Sequence, residues 1–225
     1  MQEINNYQIN ESNYDEIYVI SDLHGDIELF SKMIEKLDLK KDELLIIAGD
    51  SCDRGAESAS IYQKIIEMKE KGFNLIHLRG NHEKMFFDYM VFEEGYKLWM
   101  LNGGKQTLLS YENHNFDLEK HLDLIDEMPH FVESDNYIIV HAGLNPAKRL
   151  SEQSEEDLLW IRERFIGAKL KYIDKTVVFG HTPTESGKIC YYSNNTLGID
   201  CGSYLHKRLG AFSLKDEQEY YVSRR

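Results

Sequence analysis

Five short apolar segments of the sequence each end in side chains that can bind a metal ion or carry a proton. The segments are IYVI, LLIIA, LIHL, YIIV and TVVF, and glycines accompany the polar residues that follow them. Those polar residues are Asp22 and His24, Asp50 with Asp53 and Arg54, Asn81 with His82, His141, and His181. A lone Asp or His at such a position more often caps a helix or forms a turn. Five such endings in one chain indicate a functional site.

The residue types indicate a hydrolytic site for two metal ions. The set contains carboxylates, imidazoles and an amide but no thiolate, which suits Mn²⁺, Fe or Zn²⁺ and excludes a zinc site built from cysteines. Asp22 and His24 are two residues apart, so an extended backbone would point both side chains to the same side and let them bind one ion. Asp50 ends the next strand and is the candidate to bridge two ions, because a carboxylate has two oxygens.

The segments that must position these residues alternate between strand and helix patterns. Strands are predicted at 17–20, 44–49 and 75–78, and helices at 27–37 and 57–72 lie between them. This alternation predicts parallel βαβ units whose sheet is covered on both faces. Ligands collect at the carboxyl ends of such strands, because neighbouring strands direct the loops that follow them into one crevice.

The rest of the chain predicts a helical segment and then a second group of strands. Residues 84–130 lack a strand pattern and are rich in Met and aromatic residues, so we interpret them as a helical cap within a single domain, 1–225. Further strands are predicted at 137–140 and 176–179. Four closely spaced apolar runs within 188–223 predict hairpins and a largely antiparallel second half.

The composition argues against several classes of protein. The formal net charge is −13 and the Lys and Arg residues are scattered, so we expect no nucleic-acid partner and no membrane partner. No apolar stretch approaches the ~18 residues that span a bilayer, and the first residues lack the pattern of a signal peptide. Three cysteines without paired spacing favour a reducing compartment. These features predict a cytoplasmic protein and leave its oligomeric state open.

The polar segments also resemble those of a known family. DLHGD, GDSCDRG, RGNHE, HAG and GHTP occur in this order over about 20–200 and are similar to the motifs of the calcineurin-like metallophosphoesterases, specifically the phosphoprotein phosphatase branch. The segment LLWIRERF, 158–165, is similar to a Trp-x-Arg element of bacterial and phage members. Ser21 and Ala142 stand where many members have Gly, and a C-terminal motif of many eukaryotic members is missing. The resemblance therefore favours a compact bacterial or phage-type member.

This resemblance implies a fold and a set of metal ligands. The fold would be an α/β structure, an αββα sandwich of two mixed β-sheets flanked by helices, with a small helical cap. The implied ligands are Asp22 and His24 for the first ion, Asp50 as the bridge, and Asn81, His141 and His181 for the second ion. The two divalent ions are expected to be Mn²⁺, with Fe or Zn²⁺ as alternatives.

The predicted reaction is hydrolysis of a phosphate ester by direct attack of a hydroxide that bridges the two ions. Arg54 and Arg162 would bind the remaining phosphate oxygens through bidentate hydrogen bonds. His82 would donate a proton to the leaving oxygen, and Asp53 would orient His82 and keep it protonated.

Three other polar residues receive structural interpretations. Glu83 is predicted to begin a helix and to offset its dipole. His77 is predicted to be a core residue whose polar atoms are satisfied. Asp200 is predicted either to close a strand or to support a metal-bound histidine.

Two enzymatic functions and one other function remain open. The first hypothesis is a serine/threonine protein phosphatase, with phosphotyrosine or small phosphate esters as further substrates. A hydrolase of dinucleoside polyphosphates such as diadenosine tetraphosphate would use the same ligands, and the segment NGGKQT at 102–107 is similar to both groups. A non-catalytic scaffold should have lost a ligand or the proton donor, whereas every position is filled here.

Overall fold

The computed structural model describes residues 4–193 and 195–224, and eleven strands in these ranges form two sheets. The strands are β1 (Asn6–Gln8), β2 (Ile17–Ile20), β3 (Leu44–Ile47), β4 (Asn74–His77), β5 (Phe131–Glu133), β6 (Tyr137–Val140), β7 (Thr176–Phe179), β8 (Cys190–Tyr192), β9 (Thr196–Gly198), β10 (Arg208–Ser213) and β11 (Glu219–Ser223). The α-helices are α1 (Ile27–Leu37), α2 (Ser58–Glu70), α3 (Asn81–Phe92), α4 (Tyr96–Leu101), α5 (Gly104–Asn113), α6 (Leu118–Asp126), α7 (Glu155–Trp160) and α8 (Ser203–His206). Short 3₁₀ turns are present at Glu11–Asn13 and Leu150–Glu152.

Both sheets have parallel strands at their centres. The five-stranded sheet has the order β11-β10-β2-β3-β4, in which β2, β3 and β4 are parallel. The six-stranded sheet has the order β1-β5-β6-β7-β9-β8, in which β6, β7 and β9 are parallel. Within each sheet the carboxyl ends of the three parallel strands therefore lie at one edge, which is where the polar segments of the sequence begin.

The strands are apolar throughout because both faces of each central strand are covered. Ile17 and Val19 of β2 pack in a core between the two sheets, whereas Tyr18 and Ile20 pack in a core shared with α1, α2 and α3. A third core lies on the outer face of the six-stranded sheet, against α7 and the loop that follows it. The layers are helices, sheet, sheet and helix, so the predicted αββα sandwich is confirmed.

The ends of helix α1 are set by two aspartates. Asp26 caps its first turn, since the carboxylate accepts the backbone N–H of Leu29 at 3.0 Å. Asp38 ends the helix in a left-handed conformation with φ 48°. The predicted bounds of this helix, 27–37, are correct, and α2 is slightly shorter than predicted.

Four helices, α3 to α6, occupy 81–126, where the sequence predicts helices and loops. Part of the Met and aromatic content of this region packs as core, since Met85, Phe86, Phe87 and Trp99 are buried against α2 and the five-stranded sheet, whereas Phe92 and Tyr96 are exposed. The Phe86 and Trp99 rings are stacked with centroids 5.4 Å apart. Among the described residues no helix is long and apolar enough to cross a membrane.

The expectation of a largely antiparallel second half is wrong in part. The last four strands do form two hairpins, β8 with β9 and β10 with β11. However, β9 also pairs parallel to β7, and β10 joins the other sheet by pairing antiparallel to β2. The short strand β5 has no clear sequence pattern and is not predicted. A short distance in sequence between two apolar runs predicts a hairpin, but it does not indicate which distant strand the hairpin pairs with.

Candidate active site

The ten residues predicted to form the site gather where five strands end. Eight of them are buried, and the two arginines are half-buried. The buried residues are Asp22, His24, Asp50, Asp53, Asn81, His82, His141 and His181. The loops after β2, β3 and β4 supply most of the set, and those after β6 and β7 supply two histidines. Residues that lie up to 159 positions apart in the sequence make direct hydrogen bonds here.

Asp50 lies at the centre of this cluster. Its Oδ1 is 3.3 Å from His141 Nε2, and its Oδ2 is 3.8 Å from the Nε2 atoms of both His24 and His82. Two groups of three side chains have ligand atoms within 4.8 Å of one another: His24, Asp50 and His82, and Asp50, His141 and His181. Asp50 belongs to both groups, which is the arrangement expected of a carboxylate that bridges two ions.

The other two predicted ligands lie beside the second group. Asn81 Oδ1 is 2.9 Å from His141 Nε2. The Asp22 carboxylate accepts the backbone N–H of His181, with distances of 3.0 and 3.2 Å to its two oxygens. His82, which the sequence assigns to proton transfer, completes the first close group of three, and Asp22 is outside that group.

Hydrogen bonds fix the orientation of the imidazoles. The Nδ1 atoms of His24 and His141 donate to the backbone carbonyls of Cys52 at 3.0 Å and Ala48 at 2.8 Å. A histidine that donates from Nδ1 keeps the Nε2 lone pair for a metal ion. His181 also bonds to backbone, and its buried Nε2 has no hydrogen-bond partner among the described residues. An unpaired buried nitrogen at this position is what a metal ligand leaves when the ion is removed.

The electrostatics of the cluster also fit cations. Burial raises the pKa of the Asp22 and Asp50 carboxyls well above the ordinary value, and nearby carboxylates add to the effect. Burial lowers the pKa of His24 well below its ordinary range and that of His141 to about 3. The histidines are therefore neutral, as ligation requires, and the buried carboxylates lack a positive charge that divalent ions would supply.

A buried Asp–His pair lies next to the cluster. His82 Nδ1 donates to Asp53 Oδ2 at 2.7 Å, and neither residue is exposed. Burial raises the pKa of the Asp53 carboxyl to about 7, and burial together with Arg54 and Arg162 lowers the pKa of His82 well below its ordinary value. The expectation that Asp53 keeps His82 protonated is therefore wrong in this structure. The hydrogen bond orients the imidazole so that its Nε2 faces the cluster, which is the geometry of a side chain that transfers a proton to or from a bound substrate.

The two predicted arginines approach the cluster from different directions. Arg54 donates from Nη1 to His24 Nε2 at 2.8 Å and from Nη2 to His82 Nε2 at 3.0 Å. Arg162 follows α7 and is anchored by a hydrogen bond of 3.0 Å from Nη1 to the carbonyl of His181. Both arginines are half-buried, and both guanidinium groups are close enough to lower the pKa of His82.

Strained backbone is concentrated in the cluster. Six of the ten predicted site residues have positive φ, which is uncommon for residues other than glycine. They are Asp22, His24, Asp50, Asp53, Arg54 and His181, with φ between 44° and 67°. Such strain persists where the surrounding contacts hold the backbone, and it is typical of functional sites. It also corrects the expectation that Asp22 and His24 share one side of an extended strand, because the chain turns at both residues.

Glu83 holds the loops after β3 and β4 together, a role that the sequence does not reveal. Its carboxylate accepts the backbone N–H groups of Asp50 at 2.8 Å, Ser51 at 2.7 Å and Gly80 at 3.0 Å. The predicted helix start is correct to within two residues, since α3 begins at Asn81. The capping pattern at the start of α3 can be recognised in the sequence, but the hydrogen bonds to Asp50 and Ser51 in the loop after β3 cannot.

His77 and Asp200 agree with their sequence interpretations only in part, since His77 is a core residue and Asp200 follows β9 as predicted. His77 is buried and its Nε2 bonds Ser51 Oγ at 2.9 Å, but its Nδ1 has no partner among the described residues, so the expectation of a fully satisfied side chain is wrong. Asp200 bonds the side chain of Asp22 and accepts the N–H of Gly202 at 2.9 Å. It thus supports a carboxylate rather than a histidine.

The comparisons with known proteins agree with this geometry. The family model described as calcineurin-like phosphoesterase matches residues 16–211, which is most of the chain. The chain belongs to the calcineurin-like phosphoesterase family. The resemblance read from the sequence motifs is therefore confirmed at the level of the family.

Two relatives and one solved structure match nearly the whole length of this phosphoesterase. Serine/threonine-protein phosphatase 2 of Escherichia coli K12 is 28% identical over 92% of this chain and 97% of its own. The asymmetrical bis(5'-nucleosyl)-tetraphosphatase PrpE of Bacillus velezensis is 23% identical over 91% of each chain. A crystal structure of a candidate diadenosine tetraphosphatase superposes with a TM-score of 0.73 at 16% identity over 99% of both chains, which shows the shared fold.

Proposed function

We propose that this phosphoesterase is a metal-dependent serine/threonine protein phosphatase that hydrolyses phosphate monoesters. The observation that carries the proposal is the position of Asp50, which forms one close group with His24 and His82 and another with His141 and His181, while His82 is also hydrogen-bonded to Asp53. The similarity to the E. coli serine/threonine phosphatase over nearly the whole of both chains supports this choice of substrate.

The proposed ligands are those that the sequence assigned. Asp22, His24, Asp50, Asn81, His141 and His181 would hold two divalent ions, with Mn²⁺ as the first candidate. When bound, the ions would supply positive charge for the phosphate oxygens and lower the pKa of a shared water toward ~7. The oxygen and imidazole donors are suited to Mn²⁺, Fe or Zn²⁺.

The remaining residues bind the phosphate and move a proton. Arg54 and Arg162 would hold phosphate oxygens through bidentate hydrogen bonds and stabilise the charge that spreads over them in the transition state. His82 would protonate the oxygen of the departing serine or threonine from Nε2. Asp53 accepts the Nδ1–H of His82 and so turns its Nε2 toward the cluster. For the imidazole to carry the proton, this hydrogen bond must outweigh burial and the nearby Arg54 and Arg162, which lower the pKa of His82 well below its ordinary value.

Hydrolysis of dinucleoside polyphosphates is the second candidate function. It is favoured by the similarity to the Bacillus tetraphosphatase, which also extends over 91% of this chain. A cavity of about 440 Å³ beside Arg54, which Tyr204 and Lys207 also line, offers space for a group larger than a phosphoryl group. A non-catalytic scaffold is disfavoured because every proposed ligand and the proton donor are present.

The decisive experiment compares the two substrate classes on the same protein. Purified protein loaded with MnCl₂ is assayed for phosphate release from phosphoserine and phosphothreonine peptides and for cleavage of diadenosine tetraphosphate. We expect faster turnover of the peptides, no turnover after treatment with EDTA, and a loss of about 10³-fold or more in Asp50→Asn. Cleavage of the dinucleotide alone would establish the second function instead, and turnover of neither would favour a scaffold.

We also propose that the chain forms one domain, with residues 84–130 as its cap, and acts in the cytoplasm. The location is supported by three cysteines that are all free, as expected in a reducing compartment. A single cooperative transition in urea, seen by both fluorescence and circular dichroism, would support the single domain.

A further inference from the structure

The Asp53 carboxylate accepts more hydrogen bonds than its pairing with His82 requires. Trp99 Nε1 donates to it at 3.0 Å, and Thr107 Oγ1 donates to Oδ1 at 2.6 Å. Together with His82 Nδ1 at 2.7 Å, these donors surround a carboxylate that has no solvent exposure. The two additional donors come from α4 and α5, outside the strand-end loops that carry the proposed ligands.

The same helices also hold the backbone on either side of this carboxylate. Asp53 N–H donates to Thr107 Oγ1 at 3.0 Å, and Arg54 N–H donates to the carbonyl of Gly103 at 3.3 Å. Asp53 and Arg54 are consecutive residues with φ of 67° and 66°. Two adjacent left-handed residues are costly, so contacts from α5 and from the turn that precedes it are needed to keep them.

The NGG segment at 102–104 permits this close approach. A Cβ on Gly103 would lie 2.7 Å from Arg54 N, and a Cβ on Gly104 would lie 2.5 Å from the ring of Trp99. Only glycine lets the chain pass this near to both groups. The segment that the sequence shares with two groups of enzymes therefore has a structural purpose, which is to bring α5 against the Asp53–Arg54 turn.

The indole donor is itself fixed by packing. Trp99 is fully buried, and its ring lies 5.4 Å from that of Phe86 and 5.1 Å from that of Tyr89, measured between centroids. The Nε1–H cannot turn away from Asp53 without disrupting this aromatic core. The carboxylate is therefore held in one orientation by groups that cannot move independently.

We propose that Trp99 and Thr107 are positioning residues for proton transfer, which act by fixing Asp53 and, through it, the Nε2 of His82. This inference rests on the proposed function, because it assigns to His82 the protonation of the leaving oxygen. In that step water forms the new P–O bond and the old P–O bond breaks. Its electron pair goes to the leaving oxygen, which takes a proton from His82 Nε2. That nitrogen accepts a hydrogen bond from Arg54 in this structure, so it can carry the proton only when Arg54 has turned to the phosphate, and the imidazole is neutral again once the proton has left.

A positioning role of this kind depends on the leaving group. The alkoxide of serine is a poor leaving group and needs the proton, whereas 4-nitrophenolate leaves as a stable anion. Loss of the donors to Asp53 should therefore slow turnover of a phosphoserine peptide far more than that of 4-nitrophenyl phosphate. A general structural defect would slow both reactions equally.

The sharpest test uses Thr107→Val, which removes the hydroxyl and keeps the shape of the side chain. Asp53 N–H retains Ser58 Oγ, at 3.1 Å, as a partner in this variant. We expect kcat for the phosphoserine peptide to fall about tenfold, and kcat for 4-nitrophenyl phosphate to stay within about twofold, with Mn²⁺ content unchanged. Thr107→Ser should restore the wild-type ratio of the two rates, and Glu112→Gln, an exposed position on the same helix, should not change it.

Two further variants separate positioning from folding. Trp99→Phe removes the indole N–H and should shift the ratio of the two rates in the same direction; if it fails to fold, the Thr107 series decides the result alone. Thr107→Val added to His82→Asn should lower the peptide rate by less than about twofold further, because both changes remove the same step.

Two outcomes would contradict the inference. Equal loss on both substrates in Thr107→Val would overturn the positioning role while leaving the phosphatase function intact. A wild-type protein that hydrolyses neither substrate would overturn the proposed function and this inference together.

Discussion

The two sheets contribute different chemistry to one site. The loops after β2, β3 and β4 of the five-stranded sheet carry the carboxylates, the amide and the proton-transfer pair. The segments that follow β6 and β7 of the six-stranded sheet carry His141, Arg162 and His181, and Asp200 follows β9. The carboxylate ligands thus lie on one sheet, and two neutral imidazoles from the other complete the second ligand group.

The hydrogen bonds that hold the site residues also differ between the two sheets. Glu83, Trp99 and Thr107 make side-chain hydrogen bonds that hold the loops of the five-stranded sheet. His141 is oriented by the backbone carbonyl of Ala48 and contacts one side chain, Asn81, at hydrogen-bond distance. Buried charged groups require several hydrogen-bond partners, because an unpaired buried charge is costly, and a neutral ring requires few. Buried charged side chains in this site therefore have more hydrogen-bond partners than the buried neutral imidazoles.

The largest effect should come from the carboxylate that both ligand groups share. Asp50→Asn removes one negative charge from each proposed ion site, so we expect bound Mn²⁺ to fall from two ions per chain to fewer than one and kcat to fall about 10³-fold or more. Metal content by mass spectrometry and turnover of a phosphopeptide measure the two effects. Retention of both ions would break the idea that Asp50 is the bridge.

The next effect compares one histidine from each sheet. His24→Asn and His181→Asn each remove a ligand from one group only, so each should leave one tightly bound Mn²⁺ and lower kcat about 10² to 10³-fold. Titration calorimetry with Mn²⁺ counts the sites in each variant. If both variants lost both ions, the two groups would be one site rather than two.

Gly80 and Gly180, one after a strand of each sheet, each lie next to a proposed carboxylate ligand, so the same substitution at both positions can be compared. A Cβ on Gly80 would lie 2.3 Å from Asp50 Oδ1 and 2.5 Å from its backbone N, whereas a Cβ on Gly180 would lie 2.2 Å from Asp22 Oδ2. Because the first clash also involves backbone, we expect Mn²⁺ affinity to fall about 100-fold in Gly80→Ala and about tenfold in Gly180→Ala. Gly95→Ala, which meets no atom within 4 Å, is the control and should cost only about 1 kcal/mol of stability for its positive φ.

The smallest effect concerns His77, a buried histidine of the five-stranded sheet that bonds Ser51. Burial lowers its pKa from 6.5 to about 3, so the folded state keeps it neutral while the unfolded state takes up a proton below pH 6.5. Stability from this residue is present above pH 6.5 and falls as pH is lowered, by roughly 2 kcal/mol between pH 7 and pH 5. Urea unfolding of His77→Gln should lack this part of the acid loss, and an unchanged pH dependence would contradict the assignment.

Much of the fold was readable from local patterns. The bounds of β2, α1, β6 and β7 were predicted correctly, because each is an apolar run or an amphipathic repeat with a clear end. The placement of the hairpins was not, since β10 joins the first sheet and β9 pairs with β7. Local spacing encodes a turn, whereas the choice of a distant partner strand depends on packing over the whole domain.

The order and types of the polar residues already indicate which of them meet, because segments that follow parallel buried strands converge at the carboxyl edge of the sheet. Tertiary structure alone decided their conformation and support. The left-handed turns at Asp53 and Arg54, and the hydrogen bonds to Asp53 from Trp99 and Thr107, join residues about 50 positions apart. A motif specifies which side chains follow a strand. The strained backbone of these turns, however, persists only because contacts from distant parts of the folded chain hold it in place.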